Sequence, residues 1–402
     1  MRILFSHPNY PAQFRRLIHF LVNADHDIVF LAKQQEWHAL PNDNIKLIKY
    51  TPHRPTSGAF LHPYLRRFES SVIEGQSAYR RALELKRSGW SPDVIVNHVG
   101  FGNGLFLKDL FPSAFQISHF EWFYNPYGSD VDFLPPHEVS EDHKLQLRIW
   151  NSQTLLELAS CDKAVVPTHW QLQQFPSKLR SHFNVIHEGV DYGKLSSLRE
   201  CRQPFAFLDD FNSDTQILTY VSRCFEEYRG FPQVLKAISK LQCEHPNLHC
   251  FIAGQDGTAY GTPRQDGITW SEWARRDLAL DPKRTHWLGS IQEDQYYNLL
   301  SWSDVHIYLT VPFILSWSLI EAMAAKCAIV ASDTPPVQEI LQNGESALLV
   351  DFFDGDALVT SVSRILDDRT LANELSSNAS LAASNYDSSF SGHLWAKLLS
   401  VH

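Results

Sequence analysis

Short, unbroken apolar runs punctuate the chain from end to end, separated by longer stretches with apolar residues at helical spacing. The runs include Arg2–Ser6, Asp27–Ala32, Asp93–Asn97, Ala164–Pro167, Ile217–Ser222, His249–Ala253, Val305–Thr310 and Ala328–Ala331, mostly rich in Val, Ile or Phe. Strict alternation would mark a strand with one wet face. Consecutive apolar positions instead predict strands covered on both faces, as in a parallel sheet. Between them, Asp142–Ser160 places Leu145, Ile149, Leu155, Leu156 and Ala159 at near-helical spacing and predicts an amphipathic helix. Strand–helix alternation of this kind predicts the α/β class with right-handed crossovers.

A chain of 402 residues exceeds one ordinary core, so two domains are expected. Residues 191–214 are polar, hold Pro204 and follow the turn-like Glu188-Gly189-Val190-Asp191. A fresh βα unit then opens at Gln216. The expected organisation is an N-terminal Rossmann-like domain over 1–190, a linker over 191–214 and a second Rossmann-like domain over 215–385. A last segment, 386–402, carries a helix able to pack back on the N-terminal domain.

Charge narrows the function classes. Lys and Arg number 35 against 45 Asp and Glu, for a net −10; residues 191–402 are −11 and residues 1–190 are +1. This balance argues against nucleic acid as a partner, but not against a small anionic ligand held by local donors. Segment Arg54–Arg87 reverses the sign, with seven basic and three acidic residues. It reads as a solvated helix face or as a docking face for an anionic or extended acceptor. Six cysteines without a Cys-x-x-Cys pair exclude a zinc ribbon or a thioredoxin-like site and suit a reducing compartment. The first residues lack a signal-peptide core, and no 18-residue apolar run occurs. A cytoplasmic protein is expected, with peripheral contact at the inner face of a membrane left open.

Candidate chemistry collects in a few places. Gly100-Phe-Gly102-Asn-Gly104, with Glu121 downstream, imitates a dinucleotide fingerprint, but Leu105 stands where the third glycine belongs. A glycine-rich strand-to-helix turn is the better reading. Arg223 and Arg229 follow the run Ile217–Ser222, where open α/β sheets bind ligands, and planar guanidinium forks suit a diphosphate. Glu226 and Glu227 lie between them and could neutralise them instead. Ser316 and Ser318 are alternative caps for a helix through Ala325, whose unbonded amides would form an anion site. Glu321, one turn in, is a candidate acceptor for a ribose diol, or the acid of a Ser318-x-x-Glu321 capping box. Asp130/Asp132 and Asp354/Asp356 belong to no wider ligand cluster, so surface turns explain them and no metal is expected.

Taken in order, the Arg223-x5-Arg229 pair, the Gly254 turn, LGSIQEDQ, SDVHIYLT, the Glu321 helix, ASDTPPVQEI and NGESALLVDFFD resemble the nucleotide-sugar domain of GT-B glycosyltransferases of the family 4 type. In the N-terminal half SHPNYPAQFRRL, FEWFYNPYGSDVDF, PTHWQLQQFP and VIHEGVD resemble a bacterial subgroup of that family. The resemblance implies two Rossmann-like domains with parallel sheets facing a cleft. It also implies transfer of a sugar from a nucleoside diphosphate to a hydroxyl, with retention and without a metal or cofactor. By the same resemblance, Arg223 and Arg229 meet the donor diphosphate, Ser316, Trp317 and Ser318 present backbone amides to it, and Glu321 takes the ribose. The other acid of the family's E-x7-E pair falls on Phe313. His119 matches a cleft histidine, and Glu121 on the same side of an extended segment would complete a catalytic pair. His98 is the competing histidine. Asn103 replaces an acid, and Tyr10 and Gln13 of the tip loop would contact the acceptor, a glycan, lipid-linked or protein hydroxyl. The setting implied is surface-glycan or glycoconjugate assembly. A non-catalytic nucleotide-sugar-binding protein and a GT-B epimerase are the alternatives.

Overall fold

The computed structural model describes residues 1–22, 26–35, 45–205, 207 and 212–400. The chain falls into two compact units, residues 1–189 with 388–402, and residues 190–387.

Among the described residues the main sheet of the first unit has seven strands: β1 (Arg2–Ser6), β2 (Asp27–Ala32), β3 (Ile45–Lys49), β4 (Val94–His98), β5 (Phe115–His119), β6 (Lys163–Val166) and β7 (Phe183–Val185). Their spatial order is β3-β2-β1-β4-β5-β6-β7, and every pairing is parallel. The unbroken apolar runs have the cause the sequence suggested. Ile3 and Phe5 point into one layer with helix residues Phe14, Ile18 and Leu21. Leu4 points the other way, into a layer with Ala78, Ala82 and Leu85 of helix Arg66–Arg87. Helix Ser388–Leu399 completes the first layer with Trp395 and Leu399. Gly392 allows this, because a Cβ there would lie 2.5 Å from the Phe20 ring.

The second unit holds β8 (Gln216–Phe225), β9 (Leu248–Asp256), β10 (Thr285–Gly289), β11 (Val305–Tyr308), β12 (Ala328–Ser332) and β13 (Leu348–Val350), in the order β10-β9-β8-β11-β12-β13. These pairings are also all parallel. Helix Trp317–Ala324 packs on helix Arg369–Ala383 through a layer of Met and Ala side chains.

Some expected boundaries fall elsewhere. The stretch read as a linker opens with a helix, Tyr192–Ser196, whose Leu195 is fully buried in the second unit's core. Its positions 206 and 208–211 lie outside the described residues. The helix expected over 142–160 is two helices, Glu141–Trp150 and Ser152–Ser160. They meet at buried Asn151, whose amide exchanges hydrogen bonds with the Tyr124 backbone. The apolar face expected there is turned outward, with Leu145, Leu155 and Leu156 exposed. The second helix instead buries Gln153, Thr154 and Glu157, so a polar core reversed the face that periodicity marked. Among the described residues no helix is long and apolar enough to cross a membrane.

Candidate functional site

In the first unit, β1, β4 and β5 end side by side, and His7, His98 and His119 stand at or just past those ends. Ligands of open α/β sheets bind at this edge. The imidazoles form a row, with ring centroids 4.9 Å apart for His7 and His98 and 5.1 Å for His98 and His119. All three are almost wholly buried. Gln13 Nε2 donates to Glu121 Oε1 at 2.8 Å, and His98 Nε2 lies 3.5 Å from the same oxygen. His119 pairs with a different acid: its Nε2 is 3.3 Å from Glu188 Oε1, while His187 Nε2 is 3.6 Å from Glu188 Oε2. The expected His119–Glu121 couple is thus replaced by two pairs, His98–Glu121 and His119–Glu188. Sequence reasoning gave Glu188 no role, because it lies far along the chain beyond β7.

Burial alone would raise both carboxyls. The neighbouring histidines outweigh it, holding Glu121 below its usual range and Glu188 down at about 2. Both are therefore anions at neutral pH. His7 is driven well below its usual value by burial and then by His98. His119 and Glu188, with Gln13, Phe14 and Trp395, border a cavity of about 10 Å³, room for one water. Glu121, with 24% of its side chain exposed, is the acid that reaches solvent. Two other expected acceptor residues are interior. Tyr10 packs edge-on against Phe30 at 4.9 Å in the core, and Asn103 is fully buried, donating to Ser6 Oγ at 2.8 Å.

The glycine turn after β4 is explained by packing. A Cβ on Gly102 would lie 2.1 Å from the Ser71 carbonyl, and one on Gly104 2.1 Å from Asn97 Nδ2. Beneath it Glu157, fully buried, accepts from Asn97 Nδ2 at 3.0 Å and Gln153 Nε2 at 2.8 Å. Burial pushes this carboxyl up to about 8.

In the second unit the two arginines separate in role. Arg223 is exposed, without a hydrogen-bond or ion-pair partner among the described residues. Arg229 is buried. Its Nη1 donates to Tyr308 Oη at 3.1 Å and Thr310 Oγ1 at 2.8 Å, and its Nη2 to the Ile314 carbonyl at 3.1 Å. The Tyr308 oxygen also accepts from the Ser316 backbone at 2.9 Å. Ser316, not Ser318, caps helix Trp317–Ala324, accepting from the Ser318 amide at 3.3 Å. Glu321 therefore sits in the second turn rather than in a capping box. It is largely buried against Tyr296, whose phenol is driven well above its usual value by burial and then by the Glu321 charge. Phe313 is buried between Tyr228 and Tyr260, with ring centroids at 5.7 and 5.1 Å.

Among the described residues Glu226 makes no hydrogen bond or ion pair with either arginine, although its charge supports the Arg229 cation. Its Oε2 accepts three successive amides, from Ala259, Tyr260 and Gly261, at 3.2, 3.1 and 3.0 Å. Backbone donors carry no sequence signature, so this role could not be read in advance. Of the Asp-x-Asp pairs, Asp132 holds the turn amides of Gly128 and Ser129, and Asp354 caps helix Gly355–Asp367. Among the described residues no group of three or more His, Cys, Asp or Glu is arranged to hold a metal ion.

Comparison with known proteins assigns both units. Residues 24–195 match the model of the glycosyl transferase family 4 group, and residues 206–381 that of glycosyl transferases group 1. A phosphatidyl-myo-inositol mannosyltransferase of Mycolicibacterium smegmatis is 26% identical over 245 residues, which takes in 60% of this chain and 56% of that relative. The chain thus spans little more than half of that relative's length. Among solved structures, Anabaena HepE in complex with UDP-glucose aligns with a TM-score of 0.71 at 15% identity, covering 100% of both chains. Sucrose-phosphate synthase from Thermosynechococcus elongatus gives 0.69 at 16% identity, over 99% of this chain and 98% of that one. A UDP-forming trehalose-phosphate synthase from Burkholderia xenovorans gives 0.70 at 15% identity, over 100% and 99%. At such identities these three describe the fold, which is GT-B.

Proposed function

The chain belongs to the group 1, family 4 glycosyltransferases, and on that premise we propose that it moves a sugar from a nucleoside diphosphate onto a hydroxyl acceptor. The observation that carries the reading is the shared Tyr308 oxygen. It accepts from Arg229 at 3.1 Å and from the Ser316 backbone at 2.9 Å, tying a buried cation to the cap of a helix N-terminus. Charge builds on the leaving diphosphate as the glycosidic bond breaks. Helix amides held in advance stabilise that charge without reorganising, and a cation beside them adds to it. In this reading Arg229 braces the loop leading to Ser316–Ser318, and Arg223 is the exposed cation that meets the phosphates. Glu321 is the ribose acceptor.

On the first unit, Glu121 is the carboxylate open to an acceptor hydroxyl, oriented by Gln13 and backed by His98. His119 and Glu188 lie buried behind it, with Nε2 3.3 Å from Oε1. We assign the reaction retention at the anomeric carbon and independence of a metal ion or cofactor. The acceptor is taken to be a glycan, lipid-linked or protein hydroxyl in surface-glycan or glycoconjugate assembly, at the cytoplasmic side with peripheral membrane contact. A non-catalytic nucleotide-sugar binder is the second reading, favoured by Phe313 standing where the resemblance implies an acid.

The test is a panel of UDP-, GDP- and ADP-sugars offered to the full chain, followed by thermal shift and by release of nucleoside diphosphate with mixed acceptors in EDTA. At least one donor is expected to raise the melting temperature and to turn over, with retained configuration by NMR. Binding without turnover on any acceptor supports the binder instead, and no binding at all removes both readings.

A further inference from the structure

Resting on the donor-site reading above, we infer that Glu226 is a positioning residue: its buried carboxylate gathers the backbone of 259–261 and thereby sets the Tyr260 ring across Arg229, so that donor affinity depends on it.

The argument starts from the loop. Residues 256–270 leave β9 with glycines at 257, 261 and 267, a composition that by itself predicts many conformations. One oxygen of Glu226, a residue only 2% exposed, receives three consecutive amides of that loop. Consecutive amides converging on one point form an anion nest, and an ionised acceptor strengthens each bond. The far arm is tied separately. Asp256 accepts the Ser271 amide at 3.0 Å and its hydroxyl at 2.5 Å, and the Arg264 guanidinium lies 4.3 Å from the Trp270 ring.

The nest fixes what the loop presents. Tyr260 is the middle donor of the three, and its ring centroid lies 5.4 Å from the Arg229 guanidinium carbon. The same ring meets Phe313 at 5.1 Å, and Phe313 meets Tyr228 at 5.7 Å. A Cβ on Gly261 would come within 3.1 Å of Tyr228 Cδ2, so glycine lets the loop lie this close without pressing on that ring. Glu226 and Arg229 are near neighbours of opposite charge, yet their hydrogen bonds go to different partners. The acid holds backbone, and the base holds Tyr308, Thr310 and Ile314. The Glu226 charge also supports the Arg229 cation through space, but its hydrogen bonds reach the donor side through Tyr260.

The experiment compares the wild-type full chain with Glu226→Ala, Glu226→Gln and Tyr260→Ala, reading amide hydrogen exchange at 259–261 and donor KM and kcat. In Glu226→Ala the exchange at 259–261 is expected to rise by about tenfold or more, and donor KM by a similar factor, with kcat at saturating donor little changed. Glu226→Gln keeps one acceptor oxygen and should recover part of both effects. Tyr260→Ala, at an exposed side chain, should raise donor KM while leaving exchange at wild-type rates, and it guards against misfolding of the Glu226 variants. Faster exchange in Glu226→Ala with unmoved donor KM makes the residue structural only and overturns the inference. Unmoved exchange overturns it too. Failure of the wild type to bind any nucleotide sugar sinks the donor-site reading and this inference with it, whereas wild-type binding with unmoved variants sinks the inference alone.

Discussion

Alanine at Arg229 and alanine at Arg223 should leave different signatures. Removing the Arg229 side chain takes a charged donor from Tyr308 Oη, which keeps the Ser316 amide, from Thr310 Oγ1, which still donates to the Val311 carbonyl, and from the Ile314 carbonyl. Each lost hydrogen bond from the charged guanidinium to a buried oxygen costs about 1.5–3 kcal/mol, and Ile314 is half-buried and recovers water, so the total is about 3–5 kcal/mol. For a unit of nearly 200 residues that is a fall in melting temperature of roughly 6–20 °C. The exposed Arg223 holds nothing, and its loss should alter stability by about 0.5 kcal/mol or less. Its effect falls instead on the donor: a desolvated guanidinium–phosphate contact is worth about 2–4 kcal/mol, or roughly 30- to 1,000-fold in affinity. Differential scanning calorimetry gives the first quantity and titration calorimetry with the nucleoside diphosphate the second. If Arg223→Ala unfolded early, or if Arg229→Ala melted like the wild type, the division into brace and ligand would be refuted. Unchanged nucleotide affinity in Arg223→Ala would remove that residue from the donor site.

Other outcomes follow from the first unit. Glu157, at about 8 in the fold against an ordinary 4.5, keeps a proton that the unfolded chain releases. The stability it contributes is complete below pH 4.5 and is lost as pH rises through 8, and the sum is of order 2–5 kcal/mol. Urea unfolding at pH 5, 7 and 9 should show this slope, and Glu157→Gln should flatten it. Gly104→Ala drives a methyl to 2.1 Å from Asn97 Nδ2 and 2.8 Å from Glu157 Oε1, and should destabilise by about 1–3 kcal/mol in the same assay. A melt within 1 °C of wild type would contradict that packing. Glu121→Gln should leave nucleotide affinity intact while depressing transfer, and a parallel loss of both would make Glu121 structural.

Much of the fold could be read from the chain, because a strand buried on both faces must be apolar at consecutive positions. All eight runs singled out are strands of the two sheets. The helix over 142–160 failed for a definite reason: apolar spacing finds a face but not a break, and Asn151 interrupts the helix to serve the Tyr124 backbone. At the site, sequence reasoning found the strand ends behind His98, Arg223 and Arg229, while His119 came from the family resemblance and the strand Phe115–His119 was not among the runs. It could not tell which polar residues face inward, so Tyr10 and Asn103 were expected at the acceptor and lie in the interior. Partners far apart in sequence stayed hidden. Glu188 meets His119 across 69 positions, and Glu226 meets amides more than 30 positions on.

The helix Ser388–Leu399 has a consequence for the order in which the protein is made. Its Trp395 and Leu399 fill the core built by Ile3, Phe5, Phe14 and Ile18, yet the whole second unit intervenes in sequence. A ribosome therefore finishes the second unit while the first still lacks one wall of its core. The unit begun earliest closes last, and until then the apolar layer around Phe5 and Phe14 stays open to solvent and to chaperones.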